Sequence, residues 1–267
     1  MTYSSFRFGI VGGGGWLGQA IVNAILATGL LKPDQLILSG RSARPENLPS
    51  DDITWTNDNT GLVNASDVIV LSVRPEQFDT IELPPTDKLF ISVMAGISCS
   101  RLIRDTSSSR IVRAIPNAAA AIRQSFTPWY ATSDVTSSQR QMVQELFNAC
   151  GVSEEAPEEK HIDYCVGLTG SGAAFPALLA QALLRSGIQA GLPAEFSRRA
   201  ARQVVAGASQ LFAAESAGPA ADPEAIVKEM IDYRGTTAAA LQTMLDLGFE
   251  KAVQSGLDAA FRKATGT

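Results

Sequence analysis

Histidine is nearly absent from this chain of 267 residues, in which it occurs once, at His161. A histidine-rich metal site or a Ser-His-Asp triad would depend on that single imidazole, so both are disfavoured. Cysteine occurs three times, at Cys99, Cys150 and Cys165, without CxxC spacing. An odd count with this spacing indicates neither a disulfide framework nor a zinc site, and it suits a reducing compartment. We therefore expect no bound metal.

The chain also lacks an excess of positive charge. It has 22 Lys and Arg against 27 Asp and Glu, a formal net charge of -5, and no sustained basic run. Proteins that bind nucleic acid usually carry a basic patch, so a nucleic-acid partner is not expected. The first residues lack the basic start and long apolar region of a signal peptide. These absences predict a cytoplasmic protein.

One uncharged stretch, Val166–Leu184, could suggest a membrane span. It contains three glycines, a proline and several polar side chains, and Arg185 follows it. These small and polar residues make the stretch less apolar than a typical span. We expect a buried helix here and no membrane partner.

The first half of the chain alternates short apolar runs with helical patterns. Five such runs are apolar at nearly every position, which is typical of strands covered on both faces. Their alternation with helices predicts right-handed crossovers into a parallel sheet. The runs are Phe8–Val11, Leu36–Leu38, Val68–Val73, Leu89–Val93 and Ile111–Ile115.

The second half changes character near Ala156–Glu158 and is rich in alanine and leucine. Strand signals are few there. The stretch Ala217–Pro223 predicts a loop that ends in a helix start, with Asp222 as the cap and Pro223 in the first helical position. The predicted fold class is α/β: a Rossmann-type doubly wound sheet followed by an all-helical domain.

A glycine-rich turn follows the first predicted strand and opens the first helix. The GxGxxG fingerprint fits at Gly13, Gly15 and Gly18, with Trp16 and Leu17 between the last two. These glycines permit a tight turn, a close approach to a diphosphate and close helix packing. The helix N-terminus then presents free N–H groups to the phosphates. A second register, beginning at Gly12, would place Leu17 third and is disfavoured.

The end of the second predicted strand indicates which dinucleotide binds. An enzyme that uses NAD usually has a carboxylate here for the ribose 2′-hydroxyl. This chain instead has Ser39, Gly40, Arg41, Ser42, Ala43 and Arg44. Two arginines and two hydroxyls suit a 2′-phosphate, so NADP is predicted as the cofactor. The alternative is a solvated basic loop without a ligand.

Along nearly its full length the chain resembles the pyrroline-5-carboxylate reductase family. The resemblance rests on landmarks in the family's order: Thr56-Asn57-Asp58-Asn59, Leu71-Ser72-Val73-Arg74-Pro75, Ile91–Ile97, Arg113–Asn117, Leu168–Gly172, Ala190–Pro193 and Gly235–Thr237. It implies an NADPH-dependent oxidoreductase that reduces a C=N bond, most simply pyrroline-5-carboxylate to proline. It also implies a homodimer or higher homo-oligomer formed through the helical half.

The resemblance also implies roles for single residues. The cofactor would contact Asn59, Ser72, Val73, Arg74, Pro75, Ala95, Gly96 and Asn117, besides the glycine-rich turn and Ser39, Arg41 and Ser42. The small-molecule substrate would contact Ser171, Gly172, Gly235 and Thr236. Arg234 stands where the family has glycine: its guanidinium would either point inward and hold the substrate carboxylate, or point outward and pair with Asp232 or another surface acid. Thr237 would be catalytic, with its hydroxyl at the ring nitrogen. The implied domains are residues 1–156 for NADP and residues 157–267 for dimerisation and substrate.

The chain departs from the family mainly on the substrate side. Asp232-Tyr233-Arg234 stands where the family has Ser-Pro-Gly, and Ala173 stands where it has proline. A related cyclic imine acid therefore stays open as the substrate, and so does a non-catalytic NADP-binding regulatory protein. The β-hydroxyacid dehydrogenases share this domain plan, but none of Lys160, Lys228, Lys251 or Lys263 is followed one helical turn later by the asparagine that those enzymes use.

Overall fold

The computed structural model describes Tyr3, residues 5–213 and residues 222–267. This part of the chain forms one eight-stranded sheet and α-helices that flank or follow it. The strands are β1 Phe8–Val11, β2 Leu36–Ser39, β3 Thr54–Thr56, β4 Val68–Leu71, β5 Leu89–Ser92, β6 Ile111–Ala114, β7 Ser125–Ala131 and β8 Gly151–Glu155.

The helices of the first half are short except for two. They are α1 Trp16–Ala27, α2 Asn59–Ala65, α3 Pro75–Phe78, α4 Cys99–Thr106 and α5 Ser137–Ala149. After β8 the described chain is helical. Its helices are α6 Glu159–Cys165, α7 Ala174–Gln189, α8 Ala194–Phe212, α9 Pro223–Asp232, α10 Thr236–Asp246 and α11 Phe249–Thr265.

The strands run in the order β3-β2-β1-β4-β5-β6-β7-β8. The first six strands along the chain are mutually parallel, whereas β7 is antiparallel to β6 and parallel to β8. The direction of winding reverses between β1 and β4. Open α/β sheets bind ligands at the carboxyl ends of their strands at such a switch point. The predicted α/β class and its five strands are confirmed.

Apolar sequence explains why these strands lie inside. All four residues of β1, β4 and β5 are buried. Helices α1 and α5 cover one face of the sheet, where Ile21 and Val143 are fully buried, and α2 and α4 cover the other, where Leu62 and Leu102 are buried. Burying one such side chain contributes roughly 1.5–3 kcal/mol.

Three strands were not predicted, and β7 is the clearest case. Its sequence is Ser-Phe-Thr-Pro-Trp-Tyr-Ala, with a proline in the middle and hydroxyl side chains near its start. Proline usually argues against a strand interior. Here Ser125 and Thr127 are buried and bond to each other at 3.0 Å, so their polarity is satisfied inside the sheet.

The chain divides into two compact units. One extends to Gly172 and includes Ala259–Thr267, and the other lies within Ala173–Asp258. Residues 157–172 therefore pack with the sheet, because α6 is attached to β6 by ion pairs from Arg113. The functional division after residue 156 stays a prediction.

The expected burial of Val166–Leu184 is wrong for the single chain. No residue of α7 is buried, because within its unit this helix packs mainly against α8. Among the described residues, the helical run Glu159–Gln189 meets the length and hydropathy of a membrane span, with 6% of its apolar window buried. Its apolar side chains need another surface to cover them.

The predicted start of α9 is confirmed. The carboxylate of Asp222 accepts a hydrogen bond from the Glu224 N–H at 3.3 Å, and Pro223 opens the helix. Most of the loop predicted before it, residues 217–221, lies outside the described residues.

Candidate active site

The glycine-rich turn lies at the carboxyl end of β1. Gly12 has φ +80°, which favours glycine, and a Cβ there would lie 2.5 Å from the Ser72 carbonyl oxygen. The N–H groups of Gly12 and Gly13 both donate to the Ser39 carbonyl at 3.0 Å. These bonds hold the turn against the end of β2.

The start of α1 is open to a ligand. Gly15 is its N-cap and provides no side-chain cap, so the first N–H groups of α1 are not capped by it. A Cβ on Gly18 would lie 2.9 Å from the Gly12 carbonyl oxygen. Gly18 therefore suits the helix-contact position of the fingerprint, as the register Gly13, Gly15, Gly18 requires. Trp16 is 61% exposed at the mouth of the turn, and Leu17 is half-buried.

Beyond β2, a buried hydroxyl meets an amide. Ser39 is 1% exposed, and its hydroxyl donates to Asn59 Oδ1 at 2.6 Å. Asn59 begins α2 after Asp58, whose carboxylate caps that helix by accepting from the Gly61 N–H at 2.9 Å. With Oδ1 occupied by Ser39, the Asn59 amide keeps its N–H donors for a ligand.

The two arginines after β2 differ in their surroundings. Arg44 donates to the carbonyl oxygens of Ile53, at 2.5 Å, and Ser50, at 2.6 Å, so it braces its own loop. Arg41 and Ser42 are exposed, and within the described residues Arg41 forms no ion pair. The prediction that both arginines are available to a phosphate is therefore wrong for Arg44 and stays open for Arg41.

The ends of β4 and β5 bring the next predicted residues to the same edge. The Ser72 N–H donates to the Val11 carbonyl at 2.8 Å, which places Ser72 and Val73 beside the glycine-rich turn. Arg74 is the cap of α3 and Pro75 its first residue. After β5, Ala95 is half-buried. Gly96 has φ +73°, and a Cβ at this position would lie 2.7 Å from the Ala264 carbonyl oxygen.

Asn117 uses much of its side chain within the protein. Its Oδ1 accepts from the Ala119 N–H at 2.9 Å, and its Nδ2 donates to the Thr169 carbonyl at 3.0 Å. One N–H donor of the amide is left for a ligand. Asn117 therefore joins the end of β6 to the turn that contains Ser171 and Gly172.

The turn of Ser171 and Gly172 is preceded by helical chain and not by extended chain. Residues Val166–Gly170 form a π-helical segment, which continues through a turn into α7. The Ser171 hydroxyl donates to the Val166 carbonyl at 3.3 Å, and the Gly172 N–H donates to the Thr169 carbonyl at 3.0 Å. The Ser171 hydroxyl and the Gly172 N–H therefore already have partners within the chain, and their expected contact with the substrate stays a prediction.

Helix α10, by contrast, begins directly after a turn and has no side-chain cap. Arg234 has φ +55°, a conformation uncommon outside glycine. Gly235 is the N-cap without a side-chain cap, and Thr236 and Thr237 are the first two helical residues. Asp232, one candidate partner for an outward Arg234, instead pairs with Lys228. Arg234 is exposed and, among the described residues, forms no ion pair.

Arg113 belongs to one of the family landmarks, but the sequence assigns no role to it. Its side chain is 1% exposed and bonds Glu159 and Asp163 of α6, each at 2.6 Å. Burial opposes its charge, but Asp163 and Glu159 outweigh this and raise the pKa of Arg113. Glu159 also accepts from the Cys99 N–H at 2.7 Å. A charged residue within an otherwise apolar buried strand is the signal that could have found this cluster.

Burial also raises the pKa of the Cys99 thiol to about 12, with Glu159 contributing. A thiol with this pKa is neutral and unreactive at physiological pH. Within the described ranges, no group of three or more His, Cys, Asp or Glu residues is placed to hold a metal ion.

Two family models match the chain. The pyrroline-5-carboxylate reductase dimerisation model matches residues 159–267, and a model described as NADP oxidoreductase, coenzyme F420-dependent, matches residues 7–96. The pyrroline-5-carboxylate reductase of Synechocystis sp. is 30% identical over 266 residues, which cover 97% of each chain. The chain belongs to the pyrroline-5-carboxylate reductase family.

Solved structures of this family share the fold. The enzyme of Streptococcus pyogenes is 26% identical, with a TM-score of 0.80 over 98% of this chain and 99% of that one. The pyrroline carboxylate reductase of Plasmodium falciparum, solved with NADP bound, is 24% identical, with a TM-score of 0.80 over 98% of each chain. The family assignment and the Rossmann-type sheet followed by a helical dimerisation domain are confirmed.

Proposed function

We propose that this member of the pyrroline-5-carboxylate reductase family reduces pyrroline-5-carboxylate to proline with NADPH, as a step of amino-acid biosynthesis. The observation that carries the proposal is similarity along both domains to a relative named for this activity, at 97% coverage of each chain. Residues 1–156 would bind NADP, and residues 157–267 would supply dimerisation and substrate contacts.

The cofactor proposal rests on the first unit. The glycine-rich turn is a cradle in which Cβ atoms at Gly12 and Gly18 would collide with backbone, and it precedes the open start of α1. Such a cradle fits a dinucleotide diphosphate. Exposed Arg41 and Ser42, with the Ser39–Asn59 pair, fit the 2′-phosphate and its ribose. NADPH supplies the hydride when bound, and the protein supplies position.

The chemistry asked of the protein is modest. Hydride adds to the imine carbon while the C=N π bond breaks, and the ring nitrogen takes a proton. A hydroxyl held at that nitrogen can donate a hydrogen bond to it or relay a proton to it. Thr237 suits this role, because among the described residues its hydroxyl has no partner and it lies in the first turn of α10.

The substrate carboxylate would meet the start of α10. Gly235 and Thr236 offer backbone N–H groups at a helix end that has no side-chain cap, and Arg234 adds a guanidinium without an ion pair in the described part of the chain. An uncapped helix start beside a cation favours an anion. Arg234 also favours a related cyclic imine acid that carries a second acidic group, which is the second candidate substrate.

Assembly is the remaining part of the proposal. Large apolar side chains of the dimerisation match are exposed in the single chain, among them Phe175, Leu178, Phe196 and Leu211. Contiguous exposed apolar surface of this extent indicates an interface. In a homodimer the partner subunit would cover α7. The apolar composition of this helix then needs no membrane to explain it, and we propose that the enzyme is cytoplasmic.

The deciding experiment is NADPH oxidation by the purified protein with pyrroline-5-carboxylate and with cyclic imine acids of other ring sizes and substitution. Thr237→Ala should lower kcat by about a hundredfold with KM little changed, as for a group that acts mainly in the transition state. Thr243→Ala is the matched control: this threonine lies on the same helix and bonds to the Ala239 carbonyl at 2.8 Å.

Each alternative has its own outcome in this experiment. NADPH binding without oxidation by any imine would support a non-catalytic regulatory protein. Faster turnover of an imine with a second carboxylate would favour the related substrate. Equal loss of kcat in Thr237→Ala and Thr243→Ala would remove Thr237 from the mechanism.

A further inference from the structure

The side chain of Trp55 lies between two loops of the cofactor edge. It extends from the edge strand β3, is half-buried, and packs against the core cluster that includes Leu38. Its six-membered ring lies against Gly14 of the glycine-rich turn and against Gly40, directly after β2. A Cβ would lie 2.9 Å from Trp55 Cη2 at Gly14 and 2.7 Å from the same atom at Gly40.

The indole is what makes glycine necessary at both positions. At Gly40, the three nearest atoms to a built Cβ all belong to Trp55. At Gly14, the nearest is Trp55 Cη2 and the next is Pro45 Cγ at 3.3 Å. Neither glycine has a positive φ. Gly18 differs, because a Cβ there would meet the backbone of Gly12 and Gly13.

This explains a glycine that the fingerprint does not require. Gly14 falls on a variable position of the register Gly13, Gly15, Gly18, and Gly40 lies between Ser39 and Arg41. Both glycines allow a large ring to enter between the turn and the β2 loop. The indole packs against the core, and Pro45 lies beside Gly14 at the same turn.

We propose that Trp55 is a positioning residue for the dinucleotide, which fixes the separation between the glycine-rich turn and the loop of Ser39 and Arg41. The inference rests on the proposed use of NADPH. In NADPH, the diphosphate and the 2′-phosphate are joined through one ribose, so both loops bind well only at one separation. NADH has no 2′-phosphate, so its contact with the loop of Ser39 and Arg41 is weaker and depends less on this separation. Trp55 therefore contributes to the preference for NADPH.

A double-substitution cycle tests this contact. Gly14→Ala should raise the Kd for NADPH about tenfold, because its methyl group collides with the indole. Trp55→Phe removes the outer ring atoms and should by itself raise the Kd about threefold, with a smaller effect on NADH. Combined, the two should give a Kd close to that of Trp55→Phe, since contacting residues are not additive.

Gly18→Ala is the matched control for the cycle. Its methyl group meets backbone, so Trp55→Phe should not rescue it. Calorimetric titration with NADPH and NADH gives each Kd, and thermal unfolding confirms that each variant is folded. Gly40→Ala with Trp55→Phe is a second cycle with the same expectation, available if Gly14→Ala does not fold.

The outcomes separate this inference from the function. Additive effects in the cycle, or equal weakening of NADPH and NADH in Trp55→Phe, would overturn the role of Trp55. Failure of the unaltered protein to bind NADPH would instead overturn the proposed cofactor.

Discussion

Arg113 Nη1 lies 2.6 Å from Glu159 Oε1, which joins the buried strand β6 to α6, the first helix of the dimerisation match. The guanidinium is 1% exposed, whereas the Glu159 side chain is 31% exposed. A buried guanidinium is tolerated only when carboxylates neutralise its charge. The guanidinium in turn holds those carboxylates close to the strand. The pair therefore attaches α6 to β6.

Arg113→Met should lower the free energy of unfolding by about 3 kcal/mol, because it leaves two carboxylates without their cation. Urea unfolding at one fixed protein concentration measures this. Arg110→Ala is the control, since Arg110 pairs with a 90% exposed Asp87 and should cost less than about 1 kcal/mol. Equal losses in the two variants would contradict the role given to Arg113.

Arg41→Ala should reduce the preference for NADPH over NADH by about tenfold, because an exposed charge-assisted contact to the 2′-phosphate is lost. Arg44→Ala should leave the preference nearly unchanged and lower stability instead, since Arg44 bonds the carbonyl oxygens of Ile53 and Ser50. The measurement is kcat/KM with each cofactor. A larger change of preference in Arg44→Ala would reverse the assignment.

Arg234→Gly should increase the free energy of unfolding by about 1 kcal/mol, because glycine accepts φ +55° without the penalty of a side chain. The same change should raise KM for the imine acid and leave kcat and NADPH binding alone, since a ground-state carboxylate contact is lost. Steady-state kinetics and urea unfolding check the two parts. An unchanged KM would exclude the guanidinium from the substrate site.

Leu178→Glu should convert the proposed homodimer to monomers and abolish most activity, because it places a charge on the exposed apolar face of α7, where Leu178 is 65% exposed. Val152→Glu is the matched control: Val152 is 63% exposed but lies on β8, outside the dimerisation match. Analytical ultracentrifugation with an activity assay decides the matter. A wild-type monomer with full activity would refute the assembly.

The buried thiol of Cys150 should make the protein less stable at alkaline pH. Burial raises its pKa above the ordinary 9.0 to about 11, so the folded state keeps a proton that the unfolded state loses. The stabilisation is complete below pH 9 and is lost as the pH rises toward 11. Its size is at most about 3 kcal/mol.

The test compares urea unfolding of the unaltered protein and Cys150→Ala from pH 8 to 11. The variant should be less stable at pH 8, and its stability should fall less steeply above pH 9. Cys150 should also resist thiol reagents at pH 8 in the folded protein and react once it is unfolded. Parallel pH profiles for the two proteins would show that Cys150 does not contribute.

Local sequence determined much of the first half. Continuous apolar runs cannot be solvated on either face, so the five central strands followed from composition alone. The glycine-rich turn was predictable because strand, turn and helix are adjacent along the chain. Asp222 and Pro223 likewise predicted the start of α9, because a capping side chain acts within one helical turn.

Family membership was also readable from the sequence, because short landmarks kept their order along nearly the whole chain. Each landmark alone has an ordinary turn as its alternative. Together they agree with a relative aligned over 97% of the chain. The strands β7 and β8 could not be predicted from the sequence. In β7, a proline and hydroxyl side chains resemble loop residues, and the hydroxyls find their hydrogen-bond partners only inside the folded sheet.

Only the tertiary structure decided which polar residues are free to act. Arg41 and Arg44 are equivalent in the sequence, but Arg44 is bound by carbonyl groups from residues 50 and 53. Arg113 meets its carboxylates 46 and 50 positions away, and Trp55 of β3 meets Gly14, which follows β1, with β2 between the two strands. Composition and periodicity act over a few residues, whereas these partners are chosen by how the sheet brings distant segments together.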